Sequence, residues 1–231
     1  MKRITLTVTN ELRFDQRMDR ICTSLAAAGY QVTLIGRRSK ISASLLPKPY
    51  RQIRLRCFIA KGPFFYIEYN IRLFFKLLSQ KTDCLVAIDL DTILPCLAVS
   101  KLMRTQRVYD AHELFCEMKE IVTRPSRYRL WKAIERLSVP QFTHGYTVND
   151  AIAAEFKSMY GSDYAVIRNV PIPRVPSVPK TKGHYILYQG AVNEGRSFET
   201  LIPAMHQVSL PLWICGEGNY LAQAKALVKH Q

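Results

Sequence analysis

Two consecutive copies of one plan near the end of the chain restrict its fold more than any other feature. Tyr185-Ile-Leu-Tyr-Gln-Gly190 reads as a buried strand that stops at a glycine, and Ala191 to Arg196 leads into a helical spacing at Phe198, Leu201, Ile202 and Met205. Pro211-Leu-Trp-Ile-Cys-Gly216-Glu-Gly218 repeats the apolar run closed by glycines, and Leu221 to Val228 repeats the helix. Such a turn gathers unpaired backbone N–H groups under a helix dipole, so it attracts anions. A phosphate-bearing ligand is the expectation, although glycine after a strand is common to many α/β proteins.

The same rhythm runs through the earlier sequence. Residues 4 to 8 read as a strand; Met18, Ile21, Cys22, Leu25 and Ala26 then mark a helix face, with Gly29 placed to end it. Further strands are expected at Gln31–Ile35, Gln52–Phe58, Cys84–Ile88, Arg107–Tyr109, Gly145–Val148 and Ala165–Ile167. Helices are expected near Phe64–Leu78, Thr92–Met103, Tyr128–Leu137 and Asp150–Tyr160, the last ended by Gly161 and capped by Asn149 and Asp150. Alternation of this kind predicts a parallel sheet covered by helices on both faces, with ligands bound beyond the carboxyl ends of the strands. Pro171, Pro173, Pro176 and Pro179 interrupt it and suggest an extended connection. The expected organisation is therefore a first domain over 1–168, a Pro-rich linker over 169–182 and a partial second domain over 183–231, since only two strand-helix units fit before Gln231.

Charge divides the chain as well. Of a formal net charge of +15, almost none falls in residues 181–231, where Lys182, Arg196, Lys225 and Lys229 face Glu194, Glu199 and Glu217. The basic first part points to an anionic membrane surface, a nucleic acid or a phosphorylated acceptor, or is simply a soluble basic face. No nucleic-acid recognition motif is present, and the aromatics lie within apolar runs instead of a stacking array, so nucleic acid is an unlikely partner. The six cysteines form no C-x-x-C pair and mostly sit in apolar stretches, as buried thiols in a reducing cytoplasm do. Met-Lys-Arg is followed by a short strand instead of a signal sequence, so a cytoplasmic location is expected.

Eleven of the fifteen residues from Phe64 to Leu78 are apolar or aromatic, with Glu68, Arg72 and Lys76 in one polar stripe and Asn70 beside it. The apolar face is wider than packing on one sheet requires, yet the helix is too short to cross a bilayer. It is expected either to lie in a membrane interface or to pack under another element. Arg51, Arg54, Arg56 and Lys61, with Arg124, Arg127, Arg129 and Lys132, would favour anionic lipid.

Tyr109-Asp110-Ala111-His112-Glu113-Leu114-Phe115 follows a strand and precedes a helical region. Together with Tyr188 to Arg196 and Ile214 to Asn219 it resembles bacterial family 4 glycosyltransferases, over nearly the whole chain. The resemblance implies a GT-B-like architecture: an acceptor-side Rossmann-like N-terminal domain, an incomplete second Rossmann-like domain for a nucleotide-sugar donor, and a cleft between them. It further implies transfer of a hexose with retention to a lipid-linked or polysaccharide acceptor, with no metal or other cofactor. By the same resemblance Gly190, Gly195 and Arg196 hold the donor diphosphate through backbone donors and a guanidinium, and Gly216 and Glu217 lie near the nucleotide. His112 hydrogen-bonds the transferred sugar, while Asp110 and Glu113 orient His112 or bind sugar hydroxyls.

Three departures qualify it. The glycine-rich turn of the family after the first strand is replaced by Thr9 to Asp15, so an acceptor site at Asn10, Arg13 and Asp15 is carried over by position only. Pro203 should kink the helix after Arg196. The family's E-x7-E element would lie beyond Gln231. Alternative readings are a non-catalytic remnant that binds acceptor or membrane, and a nucleotide-sugar epimerase of the same build.

Overall fold

The computed structural model describes residues 1–38, 44–170 and 183–229. The chain divides into two compact units, Met1–Pro171 and Ile172–Gln231. The proline-rich stretch at Pro171, Pro173, Pro176 and Pro179 lies outside the described residues.

The first unit is a seven-stranded, wholly parallel sheet. In chain order its strands are β1 (Arg3–Glu11), β2 (Gln31–Arg38), β3 (Arg51–Arg56), β4 (Cys84–Ile88), β5 (Gln106–Ala111), β6 (Gly145–Thr147) and β7 (Ala165–Val166). They lie in the order β3-β2-β1-β4-β5-β6-β7, so the winding reverses between β1 and β4. Helices α1 (Gln16–Ala27), α2 (Pro63–Leu78), α3 (Ile93–Met103), α4 (Lys119–Val122), α5 (Pro125–Ser138) and α6 (Asp150–Tyr160) fill the connections.

Period-two alternation in the central strands builds two cores. Leu85 and Ala87 of β4 join Tyr69, Leu73, Leu77, Ile93, Cys96, Val99 and Phe156 on the face covered by α2, α3 and α6. Val86 and Ile88 point the other way, to Leu6, Val8, Leu34 and the Met18 and Cys22 side chains of α1. The ends of the helices follow local chemistry. Asp15 accepts the Met18 N–H to cap α1, Asn149 accepts the Ile152 N–H to cap α6, and Gly161, at φ +68, closes α6 in the left-handed region. Gly62 at φ +80 turns the chain so that Pro63 can occupy the first position of α2.

The second unit holds a two-stranded parallel sheet, β8 (Ile186–Gln189) and β9 (Leu212–Cys215), with α7 (Phe198–Ala204) and α8 (Leu221–Lys229). Val192, Phe198, Ile202 and Ala224 form its small core, with Tyr188 and Ile214 packed against them. The strands are not buried as their apolar sequence suggests. Leu187 is 52% and Trp213 55% exposed, because helices cover only one face of this narrow sheet. On the bare face the Tyr185 and Trp213 rings stack at 4.4 Å. The α-helix carrying Pro203 ends one residue later, at Ala204, and passes into a 3-10 turn. All six cysteines are unpaired; Cys22, Cys96 and Cys116 are buried, Cys57 and Cys84 half-buried and Cys215 exposed.

One buried hydroxyl ties α2 to the winding reversal. The registered pairing of β1 with both neighbours stops at Thr7 and resumes, on one side, only at Glu11. Within that gap the Val8 carbonyl accepts the hydroxyl of fully buried Tyr69. Replacing Tyr69 with Phe is expected to destabilise the chain by about 1–3 kcal/mol, because a buried carbonyl loses its donor. Urea denaturation checks it; an unchanged midpoint would mean that the carbonyl finds another partner.

Candidate functional site

The carboxyl ends of β4, β5 and β6 and the start of α1 meet around one carboxylate. Asp110, near the end of β5, has no exposure to water. Its Oδ1 accepts a hydrogen bond from an Arg17 guanidinium nitrogen at 2.8 Å, and its Oδ2 accepts the Tyr146 hydroxyl, also at 2.8 Å. Arg17 comes from the first turn of α1 and Tyr146 from β6, so three elements distant in sequence converge on this group. A buried charge is tolerated only when paired in this way.

His112 sits one residue past β5, half-buried, between two carboxylates. Its backbone N–H donates to Asp89 Oδ1 at 3.1 Å, and its Nδ1 lies 3.3 Å from Asp89 Oδ2. Its Nε2 lies 3.1 Å from Asp110 Oδ2, within ion-pair distance but off the line of a hydrogen bond. Burial opposes protonation of the imidazole, but contact with Asp110 and the charges of Asp89 and Asp110 outweigh it and raise the His112 pKa. Burial pushes the Asp89 carboxyl well above the usual range, against the pull of the imidazole. Asp91, two residues on, is raised to about 6 by burial, against the hydrogen bond from the Thr9 hydroxyl.

Asp89 carries a further sign of constraint. Its backbone is at φ +53 and ψ 178, a conformation that residues with a side chain rarely adopt, and its N–H donates to the Asp110 carbonyl at 3.0 Å. Two buried donors in this cluster, Arg17 Nε and His112 Nε2, lack a hydrogen-bond partner among the described residues. A ligand oxygen brought to this edge would meet both an imidazole and a guanidinium.

The sequence-derived candidates separate clearly. Asp110 and His112 come together. Glu113 does not join them: its side chain is exposed, and the carboxylates beside the imidazole are Asp89 and Asp110, so it has no part in orienting His112. Asn10, Arg13 and Asp15 lie at the end of β1 and in the β1–α1 loop, on the same edge of the sheet. There Asn10 Nδ2 donates to Asp15 Oδ2 at 2.9 Å while Asp15 also caps α1, and exposed Arg13 lies over the Phe14 ring. Arg17, Asp89 and Tyr146 were missed by the sequence reading. The available signal was Asp89-Leu-Asp91 straight after a buried strand, since acids at that position lie on the ligand edge of such sheets.

In the second unit the two glycine turns lie against each other. A Cβ at Gly216 would stand 1.8 Å from the Gly190 carbonyl oxygen, and one at Gly218 2.1 Å from that of Val192, so only glycine fits either position. Gly190 donates its N–H to the Cys215 carbonyl at 3.1 Å, Val192 to Glu217 at 2.9 Å, and Glu194 to the Asn219 side chain at 2.9 Å. The Gly190 N–H therefore extends the sheet and is not available to a ligand, contrary to the role expected for it. Gly195, at φ +84, turns the chain ahead of α7, and the Arg196 and Glu217 side chains are exposed. Among the described residues no group of three or more His, Cys, Asp or Glu side chains is placed to hold a metal ion.

No protein-family model matches the chain, and no curated protein matches it. Solved structures do. Sucrose-phosphate synthase from Thermosynechococcus elongatus is similar with a TM-score of 0.67 at 16% identity, over 100% of this chain and 68% of that one. The lipopolysaccharide outer core galactosyltransferase WaaB in its apo form gives 0.57 at 12% identity, over 100% and 65%. Arabidopsis thaliana UGT89C1 complexed with UDP-L-rhamnose gives 0.59 at 10%, over 94% and 68%. The chain thus spans about two thirds of the length of each. At such identities the likeness concerns fold alone, and that fold is the α/β, GT-B-like architecture of glycosyltransferases, with the second Rossmann-like domain incomplete in this chain.

Proposed function

We propose that this protein is a retaining, family 4 type bacterial glycosyltransferase. It moves a hexose from a nucleotide sugar to a lipid-linked or polysaccharide acceptor in the cytoplasm, and it needs no metal or other cofactor. The first unit, 1–168, serves the acceptor side and the partial unit from 183 the donor, joined by 169–182. The observation that carries this reading is the His112 imidazole held between Asp89 and Asp110 at the carboxyl ends of β4 and β5, beside the winding reversal of a GT-B-like fold. Ligands of open α/β sheets bind at that point. The nucleotide sugar in the similar UGT89C1 structure supports the donor class.

Chemically, the bond from the anomeric carbon to the diphosphate oxygen breaks while an acceptor oxygen bonds to that carbon and its proton is released. Negative charge grows on the departing diphosphate. Fixed positive charge lowers the barrier most where that charge appears, and Arg196, with the Gly195 turn, is assigned to it. Gly190 and Gly216 act by letting the two turns approach, which shapes the loop that carries Arg196; Glu217 is assigned to the nucleotide. His112 donates to a hydroxyl of the transferred sugar, its proton secured by the flanking carboxylates, and Asp110 keeps the ring in place. Asn10, Arg13 and Asp15 line the acceptor approach.

Three measurements test these roles. In calorimetry with UDP- and GDP-hexoses, Arg196→Ala is expected to weaken donor binding about 10- to 100-fold, the scale of one lost charge-assisted bond; unchanged affinity would refute the assignment. With a donor that turns over, His112→Ala is expected to lower kcat about 100- to 1,000-fold with the far-ultraviolet dichroism unchanged. Wild-type rates in that variant would remove His112 from the reaction. The third is a titration. By NMR the His112 ring should titrate above the ordinary value of about 6.5, and Asp110→Asn should lower it. Because the folded pKa is raised, the contact adds stability that is complete below pH about 6.5 and is lost as pH rises through the folded value. A midpoint at or below the ordinary value would contradict the geometry.

A further inference from the structure

The solvent side of α2 has the wrong composition for water. Its buried face is Phe65, Tyr69, Leu73 and Leu77. Directly opposite, at three- and four-residue steps, lie Phe64, Ile67, Ile71, Phe75 and Leu78, which are 67%, 55%, 54%, 64% and 38% exposed. Both sides of the helix are apolar, and no described residue covers the outer one.

A fixed strap widens this surface. The Glu68 carboxylate accepts the Phe58 N–H at 2.9 Å and the Ile59 N–H at 2.9 Å, which fastens the segment after β3 to the flank of α2. Arg72 Nε in turn donates to Glu68 at 2.8 Å, and its guanidinium lies 5.0 Å from the Phe58 ring centroid, with that of Arg56 at 5.9 Å. Phe58 and Ile59 are thereby held exposed beside the stripe instead of folding inward. Glu68, the one acid on this flank among the described residues, is committed to these bonds and held below the usual range by them. Arg56 at the start of this strap, Lys61 within it and Lys76 on α2 have no carboxylate partner among the described residues.

We infer that this face docks on an anionic lipid bilayer, α2 lying in the interface with Phe58, Phe64, Ile67, Ile71 and Phe75 among the acyl chains and the cations at the headgroups. Charge decides between occupants. A second copy seated on the same face would set two cationic rims against each other, whereas an anionic bilayer satisfies both the apolar stripe and its rim. Among the described residues no helix is long and apolar enough to cross a membrane. The inference stands on the exposed face of α2 and does not depend on the transfer reading.

Flotation of the full chain with phosphatidylcholine vesicles, with and without phosphatidylglycerol, tests it. Binding is expected to the anionic vesicles and to weaken with salt. The triple variant Phe64→Ser, Ile67→Ser, Ile71→Ser should lose at least ~10-fold in partitioning, since these side chains make no internal core. Leu130→Ser with Leu137→Ser, equally exposed on α5, should bind as the wild type does. The inference is overturned if anionic vesicles fail to bind the protein, or if the triple variant, shown folded by circular dichroism, binds undiminished. Sedimentation showing a dimer that the triple variant abolishes, without vesicle binding, would overturn it in favour of self-association.

Discussion

A carboxylate with no access to water has to be held by opposite charge, and the first unit is organised around that requirement at Asp110. Arg17 is committed to it from α1 and Tyr146 from β6, which fixes the start of one helix and the end of one strand against β5. Removing either partner of such a buried pair typically costs 3–5 kcal/mol, about the scale of a core cavity. The pair also determines what can happen at the edge of the sheet. With one carboxylate oxygen bound to a guanidinium and the other to a phenol, the His112 ring is confined between Asp110 and Asp89, whose charges favour its protonation. The unfavourable backbone of Asp89 belongs to the same arrangement, since its N–H is tied to the Asp110 carbonyl and its side chain to His112. A constraint of this kind is found where positioning matters more than local comfort.

Much of the fold could be read from residues whose signals are local. The strand over Cys84–Ile88 was visible as a short apolar run because it is buried on both faces, and the helix over Asp150–Tyr160 because Asn149 and Gly161 punctuate it. Strand-helix alternation showed that the sheet is parallel, though not the order of its strands. What was not visible depends on distance in sequence. Arg17 and Asp110 are 93 residues apart, and nothing in the spacing of α1 distinguishes Arg17 from Arg20, the other basic residue of that helix. Asp89 gave a weak signal as an acid ending a buried strand, but its contact with His112 exists only once β4 and β5 are adjacent. Glu113 is next to His112 in sequence, but the carboxylates beside the imidazole are Asp89 and Asp110, which adjacency in sequence could not reveal. The second unit shows the limit of reading burial from composition. The runs over Ile186–Gln189 and Leu212–Cys215 are as apolar as the strands of the first sheet, yet a two-stranded sheet offers only one covered face.

The two apolar surfaces of the protein thus differ in kind. The bare face of β8 and β9 is the flat side of a narrow sheet, with a stacked Tyr185–Trp213 pair and no cationic rim described around it. The outer face of α2 is a helix stripe extended by a segment that Glu68 holds open, with Arg56 and Lys61 at or within that segment. α2 begins beyond the carboxyl end of β3, the same edge that carries Asp110 and His112, and Asn70 in its second turn donates to the Asp91 carbonyl at 2.9 Å. The face proposed to meet lipid and the edge proposed to handle substrate therefore share one helix, an arrangement that would suit the lipid-linked acceptor proposed above.

The central claim is that a nucleotide sugar is handled by the Gly195–Arg196 turn and by the Asp110–His112 edge. Hydrogen–deuterium exchange of the full chain, with and without a UDP- or GDP-hexose, measures this most directly because it reports on both segments in one experiment. The account predicts slowed exchange in 190–198 and 214–219 with the free nucleoside diphosphate, and additional slowing in 110–114 only when the sugar is attached. Unchanged exchange in all three segments with every donor tested, or protection confined to the opposite, amino-terminal edge of the sheet, would contradict it.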